Sequence, residues 1–254
     1  MLSAIVDISE RKQAEKAIQR YTAELERSNR DLDQFAYSAS HDLKAPLRAA
    51  DQLAQWVMED SGPSLSEESR RDLELMRKRL ARMQHLLDDL LAYSRVGRTQ
   101  QHPEVVDTAA LVHEVVDLLA LPAGFQVTVA PMPILTTSRA PLAQVFRNLL
   151  GNAVKHHHRE NGIVSVSAAD QGNLVEFVVQ DDGPGIAPEF HHQVFQMFQT
   201  LKPRDQVEGS GMGLALVKKI VENQGGRITL ESAPGKGAAF RFTWPRRPVQ
   251  ANEK

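Results

Sequence analysis

The sequence has no cysteine, and aromatic residues make up only 6% of it. Without cysteine, disulfide bonds and thiolate metal sites are excluded, which fits a reducing compartment. No apolar stretch approaches the roughly 18 residues that a membrane-spanning helix needs, and the amino terminus lacks a basic region followed by an apolar run. We therefore expect a cytoplasmic protein with no membrane contact from this segment.

An excess of charge of one sign is also missing, because 30 basic residues face 32 acidic ones and the formal net charge is -2. This balance gives no electrostatic reason for binding nucleic acid or an anionic membrane. The 254 residues, 42% of them apolar, are enough for two small domains. We expect two hydrophobic cores and no nucleic-acid partner.

The first part of the chain has the apolar spacing of a helical hairpin. A short β-like run at 2–7 leads into a helix with a predicted cap at Ser9. Apolar residues then recur at heptad spacing, are interrupted by SGPSL at 61–65, and resume over 73–90. A hairpin of two such helices cannot bury its apolar stripes alone, so the pattern predicts a homodimeric four-helix bundle.

The second part of the chain mixes strands and helices after a polar linker. Its pattern indicates an α/β sandwich with helices on one face of a sheet, and Gly172 suits a hairpin turn between two strands. The predicted helices are 108–119, 141–156 and 212–224, and the predicted strands are 105–107, 126–130, 163–169, 174–180, 227–232 and 238–244. The resulting segments are 1–27, the hairpin at 28–95, the linker at 96–104, the α/β domain at 105–246 and a flexible tail at 247–254.

His41 lies in the segment SHDLKAPL, where Pro46 should bend the helix because it lacks an N–H and its ring clashes. A neutral imidazole has a nitrogen lone pair that can attack phosphorus, and Asp42 is placed to hold or remove the proton of the other nitrogen. The pair is therefore a candidate catalytic site. A surface histidine on a bundle helix is the alternative, and the pair alone does not decide between them.

Asn148, Asn152 and Lys155 are spaced so that they project from one face of a predicted helix. Amide oxygens at Asn148 and Asn152 suit a Mg²⁺ ion shared with phosphate oxygens, and the lysine adds a positive charge. A solvated helix face is the alternative interpretation. The histidines at 156–158 and 191–192 are not expected to bind zinc, because adjacent side chains point in divergent directions.

The segment DDGPGI follows an apolar strand and predicts a sharp turn that closely approaches a ligand. Gly183 and Gly185 permit the turn, and Ile186 follows them. Because a carboxylate repels phosphates, Asp181 is better placed to accept a hydrogen bond from an adenine amine. An ordinary turn is the alternative.

The segment GSGMGL opens an amphipathic helix with three glycines. Gly209, Gly211 and Gly213, together with Met212 and Leu214, expose amide donors at the positive end of the helix. This arrangement predicts a phosphate-binding loop, although the pattern is weak evidence by itself.

The long segment between the two glycine loops predicts a lid. Phe195 and Phe198 are expected to anchor it to the body of the domain, while Lys202 or Arg204 reaches phosphate. A packed surface helix with two anchoring aromatic residues is the alternative.

The four elements in this order resemble those of the two-component sensor histidine kinases, over residues 28–244. The resemblance implies a dimerisation and histidine phosphotransfer domain, followed by an α/β sandwich ATP-binding domain of the histidine-kinase (Bergerat) type. The matching segments are the phosphoacceptor His41, the asparagine box 148–155, the glycine boxes 181–185 and 209–213, and the phenylalanine box 195–198.

The resemblance also implies a reaction and its partners. ATP with Mg²⁺ would phosphorylate His41 in a homodimer, and the phosphoryl group would pass to an aspartate in the receiver domain of a response regulator. Residues 1–27 are similar to the end of a PAS sensor domain and its exit helix, which implies an upstream sensor domain. Ala45 occupies the place where many members have a threonine or asparagine that holds a water, so we expect weak phosphatase activity; efficient Mg²⁺-dependent hydrolysis of a phosphorylated regulator would contradict this.

Two other functions fit parts of the sequence. A clamp-type ATPase with the same ATP-binding fold, as in chaperones, mismatch-repair proteins and topoisomerases, would not need the helical hairpin with SHDLKAPL. A non-catalytic dimeric scaffold would keep the coiled coil and lose the nucleotide-binding residues. The segment around His41 argues against the first, and the complete set of glycine and asparagine segments argues against the second.

Overall fold

The amino-terminal part of the structure is a hairpin of two long helices. The structure is a computed structural model that describes residues 2–62, 64–97, 102–201 and 210–247. Helix α1 spans Leu2–Ser61 and helix α2 spans Glu67–Arg95. The Ser66 side chain accepts a hydrogen bond from the Ser69 N–H at 3.1 Å and so caps α2.

The prediction of a strand at 2–7 and a helix cap at Ser9 is wrong, because α1 is already helical from Leu2. A strand is stable only when it pairs with another strand, whereas an existing helix extends with one new hydrogen bond for each residue fixed. Helix α1 also continues through Pro46. Because proline has no N–H, the Asp42 carbonyl four residues earlier has no helical amide to accept from.

The carboxy-terminal part is the predicted α/β domain. Its strands form a five-stranded sheet with the order β2-β4-β5-β7-β6 and a separate pair, β1 and β3. Only the β2–β4 pairing in the larger sheet is parallel. In chain order the elements are β1 (Glu104–Asp107), α3 (Thr108–Leu119), β2 (Phe125–Val129), β3 (Ile134–Thr137), α4 (Arg139–Lys155), β4 (Gly162–Gln171), β5 (Leu174–Asp181), α5 (Gly213–Asn223), β6 (Ile228–Ser232) and β7 (Ala238–Pro245).

The core of this domain lies between the sheet and helices α3, α4 and α5. Phe146 of α4 packs against Phe177 of β5 and Phe242 of β7, with ring centroids 5.5 and 5.6 Å away. Alternate residues of the strands are buried, as expected for a sheet with one covered face. The buried Trp244 indole donates to the Thr137 hydroxyl at 2.8 Å, which satisfies both groups in the interior. The predicted layer arrangement is therefore confirmed.

Strand β3, which pairs antiparallel with β1, was not predicted from the sequence. It has four residues and follows the proline-rich segment at 131–133, so too few alternating positions remain to give a strand pattern. The β4–β5 hairpin was predicted: Gly172 has a φ of +75° and its N–H is accepted by the Asp170 carboxylate at 2.8 Å.

The two parts of the chain are in contact through α2 and α5. Ala92, Tyr93 and Val96 at the end of α2 pack against the core of the α/β domain. The Lys219 ammonium of α5 lies 4.0 Å from the centroid of the Tyr93 ring. The hairpin is thereby held against one helix of the α/β domain. In the described ranges, none of the helices combines the length and the apolar character needed to cross a membrane.

Candidate phosphoacceptor and nucleotide site

His41 lies on the outer surface of the hairpin. Its neighbour Ser40 is fully buried, whereas 75% of the His41 side chain and 81% of the Asp42 side chain are exposed. The His41 Nδ1 atom lies 3.4 Å from Asp42 Oδ1, so the carboxylate contacts that ring nitrogen. The other ring nitrogen, Nε2, is then the one available to a reactant approaching from solvent.

Two adjacent carboxylates of α2 connect the His41 region with the α/β domain. Lys44, one turn after His41, forms an ion pair with Asp88. The next residue, Asp89, accepts a hydrogen bond from the Ser210 hydroxyl in the second glycine loop. The second glycine loop therefore contacts α2 beside the residue that pairs with the phosphoacceptor helix.

The asparagine helix, α4, faces the second glycine loop. The Asn148 side-chain amide donates to the Gln144 carbonyl at 2.9 Å, which fixes its orientation. A Cβ atom placed on Gly213 would lie 3.0 Å from Asn148 Oδ1, which is closer than most Cβ contacts in proteins. Asn152 is half-buried and Lys155 is exposed at the end of the helix. The start of α5 therefore lies in close contact with the Asn148 amide, an approach that a larger side chain at position 213 would crowd.

Asp181 ends β5 and is held by the first glycine loop. Its Oδ1 atom accepts hydrogen bonds from the Gly183 N–H at 2.9 Å and from the Ala238 N–H at 3.3 Å. Burial raises the pKa of Asp181 above its usual value, although the two amides and His157 act in the opposite direction. The carboxyl group is therefore a fixed acceptor in a partly desolvated place.

The turn between β6 and β7 supports the first glycine loop from behind. Gly185 has a φ of +71°, and a Cβ on it would lie 2.0 Å from the Ala233 carbonyl oxygen. The Ile186 N–H donates to the Ser232 hydroxyl at 2.8 Å, and this hydroxyl donates to the Gly237 carbonyl at 2.6 Å. Sequence reasoning did not assign Ser232 to the site. The turn residues of SAPGKG were the only signal, and they do not show which loop the turn supports.

The second glycine loop is packed tightly at its centre. Gly211 has a φ of +71°, and a Cβ on it would lie 2.7 Å from the Gln199 carbonyl oxygen. The Met212 N–H donates to the Ser210 hydroxyl at 3.1 Å, and the Met212 side chain is fully buried. Leu214, on the first turn of α5, packs against the core. Gly209 lies outside the described residues.

The predicted lid segment begins with two short 3-10 turns, Pro188–Phe190 and Gln193–Phe195. Phe195 packs edge-on against the buried Phe240 at a centroid distance of 6.3 Å, so it anchors the segment as predicted. Phe198 is 46% exposed and has a φ of +63°, so its predicted anchoring role is wrong. The aromatic spacing does not reveal the backbone turn that directs Phe198 outward. Lys202 and Arg204 lie outside the described residues.

Family models match both parts of the chain. Residues 31–99 match the His Kinase A (phospho-acceptor) domain, and residues 137–248 match the histidine kinase-, DNA gyrase B- and HSP90-like ATPase. The first region contains His41, and the second contains the asparagine helix and both glycine loops.

Curated relatives match the chain over almost its whole length. Cyanobacterial phytochrome B of Nostoc sp. is 36% identical over 247 residues, which cover 95% of this chain and 33% of that protein. The phytochrome-like protein Cph1 of Synechocystis sp. is 36% identical, covering 95% of this chain and 32% of that protein. The methanogenesis regulatory histidine kinase FilI of Methanothrix harundinacea is 32% identical, covering 91% and 26%. The chain thus spans about a third or less of the length of these relatives.

Among solved structures, full-length ShkA in complex with AMPPNP is similar, with a TM-score of 0.67 and 28% identity. The match covers 86% of this chain and 47% of that one. It includes both the helical part and the α/β part of the fold. From the order of its two domains and the relatives that share them, the chain belongs to the two-component sensor histidine kinases, with a phosphoacceptor domain followed by an ATP-binding domain.

Proposed function

We propose that this chain transfers the γ-phosphoryl group of ATP to His41 and then to an aspartate in the receiver domain of a response regulator. The observation that carries the proposal is the exposed His41–Asp42 pair on a hairpin that is joined, through Asp89 and Ser210, to a glycine loop of the nucleotide type. Phosphoryl transfer depends mainly on positioning and charge neutralisation, and this arrangement supplies both a nucleophile and a cradle.

The chemistry at His41 follows from its contact with Asp42. With the Nδ1 proton directed to the Asp42 carboxylate, the Nε2 lone pair attacks phosphorus; the N–P bond forms as the bond to the ADP oxygen breaks. The Nδ1 proton then passes to Asp42 or to solvent, which leaves an uncharged imidazole ring that carries the anionic phosphoryl group on Nε2. The exposure of both side chains allows a bulky donor and later a receiver domain to reach the ring.

The nucleotide is assigned by the chemistry of the residues around the two glycine loops. The Asp181 carboxylate suits an adenine amine, because the Gly183 and Ala238 amides bind Oδ1 and leave Oδ2 for the base. The start of α5 suits the phosphates, because the second glycine loop leads into the positive end of this helix. Ile186, Met212 and Leu214 were predicted to contact the nucleotide as well; the burial of Met212 supports an indirect role for this residue.

The residues of α4 suit a divalent cation. Asn148 and Asn152 would hold Mg²⁺ through their amide oxygens, and Lys155 would add positive charge near the phosphates. When bound, Mg²⁺ neutralises charge on the phosphate oxygens. Asn148 supports this assignment of the cation. Its amide nitrogen donates to the Gln144 carbonyl, so its amide oxygen is directed toward Gly213.

The working assembly is proposed to be a homodimer. Several large apolar side chains of the hairpin are exposed in the single chain, and a second hairpin would cover them. They are Ile18, Tyr21, Leu53, Trp56, Val57, Leu75, Met76 and Met83. The further proposed partners are a response regulator and an upstream sensor domain in the full-length protein.

The test is incubation of the full chain with γ-labelled ATP and Mg²⁺. The expected product carries a label that is stable in alkali and labile in acid, as a phosphohistidine is. His41→Ala should remove the label, whereas His85→Ala, at an exposed histidine on α2, should keep it. Asn152→Ala should also abolish labelling while the protein stays folded; undiminished label in this variant would overturn the metal assignment.

Other outcomes separate the alternative functions. ATP hydrolysis without labelling would favour a clamp-type ATPase, and the absence of nucleotide binding would favour a scaffold. Labelling that persists in His41→Ala would show that another residue accepts the phosphoryl group.

A further inference from the structure

A cluster of charged residues lies behind the first glycine loop and fixes Asp182, the residue after Asp181. The Asp182 carboxylate accepts hydrogen bonds from the Ile163 N–H at 2.7 Å, from His157 Nε2 at 3.1 Å and from Arg159 at 2.8 Å. The same Arg159 nitrogen donates to the Asp182 carbonyl at 2.8 Å. Both the side chain and the backbone of Asp182 are therefore held in place.

His157 belongs to the interior of the domain. Only 1% of its side chain is exposed, and its ring packs edge-on against Phe125 at a centroid distance of 5.2 Å. Its Nδ1 atom lies 3.2 Å from both the backbone nitrogen and the carbonyl oxygen of Arg159, so this ring nitrogen is tied to the segment that follows α4. The other ring nitrogen, Nε2, lies 3.1 Å from Asp182 Oδ1, so both ring nitrogens have polar contacts that fix the ring.

The imidazole also sets the position of the loop by contact. A Cβ on Gly183 would lie 3.3 Å from the His157 ring and 2.7 Å from the Asp181 carboxylate. A Cβ on Gly162 would lie 3.0 Å from His157 Nε2. The backbone therefore passes so close to the ring that a shift of His157 would displace the loop that carries Asp181.

The cluster also affects the charge of Asp181. The Ile163 amide, with contributions from His157 and Arg159, keeps the pKa of Asp182 below its ordinary value, so Asp182 is ionised. Burial raises the pKa of Asp181, and the neighbouring charge of Asp182 acts in the same direction. By pairing with Asp182, Arg159 offsets this repulsion next to the group that should accept from a base.

We propose that His157 and Arg159 are positioning residues for adenine recognition. They act through Asp182, which fixes the position and orientation of the neighbouring Asp181 carboxylate. A carboxylate held there favours a purine with an exocyclic amine facing it over a purine with a carbonyl at the same ring position. The inference rests on the proposed function only in assigning the base to Asp181. It adds a specificity role to residues that do not themselves touch the nucleotide.

The test compares the affinities of the full chain for Mg²⁺-ADP and Mg²⁺-GDP by calorimetry. In Arg159→Ala the dissociation constant for ADP should rise by about tenfold, while that for GDP changes by less than about threefold, because only the base contact is misplaced. The KM for ATP should rise with it, while kcat at saturating ATP stays within about threefold. Arg159→Lys keeps the charge and one donor and should recover part of the ADP affinity.

Arg227→Ala is the matched control, because Arg227 is an exposed arginine outside the cluster and should leave both affinities unchanged. An ADP affinity of Arg159→Ala within about twofold of the parent chain would overturn the inference, and so would an equal loss for ADP and GDP. If Arg159→Ala fails to fold, the same criteria apply to Arg159→Met, which keeps the length of the side chain and removes its charge and its donors. Failure of the parent chain to bind ADP would instead contradict the proposed function, so the two failures are distinguishable.

Discussion

The helical hairpin and the α/β domain bury their apolar residues to different extents. In the α/β domain, Phe146, Phe177, Phe242 and Trp244 are fully buried within one chain. In the hairpin, Trp56 is 52% exposed, and other apolar side chains of both helices are exposed as well. Two packed helices bury only the side chains along one face of each helix, whereas a sheet covered by three helices encloses a hydrophobic core.

This difference indicates what each part requires. The α/β domain has a complete core, so its fold does not depend on a second chain. The hairpin exposes the apolar surface that a dimer would cover. The proposed phosphoacceptor His41 thus lies on the part whose apolar surface a partner would cover, and the proposed nucleotide residues lie on the part with its own core. The predictions below test this contrast.

The largest effect is expected in the core of the α/β domain. Phe146→Ala should lower the free energy of unfolding by about 3–5 kcal/mol, because it removes a ring that packs on two other rings and leaves a cavity. Chemical denaturation monitored on this domain measures the change. Phe190→Ala, at a ring that is 36% exposed, should cost less than about 1 kcal/mol. Equal losses would show that the domain core is not organised as described.

An intermediate effect is expected at the hairpin. Trp56→Glu should raise the dissociation constant of the dimer by about 30-fold or more, because about 2 kcal/mol of apolar contact is replaced by a charge. Sedimentation equilibrium measures it. Leu118→Glu is the control, because Leu118 is 78% exposed but lies on α3 of the other part. A dimer that resists the first substitution and responds to the second would place the interface on the α/β domain.

The smallest effects on stability are expected at Asp181 and Asp182, and the two effects should have opposite signs. Because the folded-state pKa of Asp181 is raised above 3.8, the protonated carboxyl group favours the folded state. This stabilisation is lost as the pH rises from 3.8 through the raised pKa. Asp181→Asn should therefore raise the unfolding temperature at neutral pH by about 2–4 °C while abolishing ADP binding.

The pKa of Asp182 is lowered, so its contribution is present above the ordinary 3.8 and is lost as the pH falls through the lowered folded-state value. Asp182→Asn should lower the unfolding temperature at neutral pH by about 2–4 °C, and the difference should shrink in acid. Calorimetry at several pH values measures both variants. A shift of the same sign in the two would contradict the assignment of their environments.

Much of the fold was predictable because its elements have strong local signals. The helix at 108–119 was predicted with the limits that the structure gives, since Asp107 is a capping residue before an apolar helical pattern. The run at 2–7 was misassigned as a strand, because six residues do not distinguish a strand from the extension of a long helix. Phe198 was wrongly given the role of Phe195, since spacing alone does not reveal a residue with positive φ.

The candidate site was predictable to the extent that it consists of local segments. The segments around His41, Asn148, Asp181 and Gly211 were recognised as candidates from residue type and spacing. The supports of the site were missed, because Ser232 and Asp89 are far in sequence from the glycine loops that they contact. No spacing rule relates such positions.

By itself, the sequence determined most of the helices and strands and the candidate side chains for the chemistry, because capping, periodicity and glycine loops act over a few residues. Only the tertiary structure decided that Asp89 meets Ser210 and that His157 and Arg159 hold Asp182. These contacts join residues that the chain brings together only when the sheet closes and the helices dock. Their hydrogen bonds are directional and short-ranged, so they exist only once that packing has placed donor and acceptor within reach.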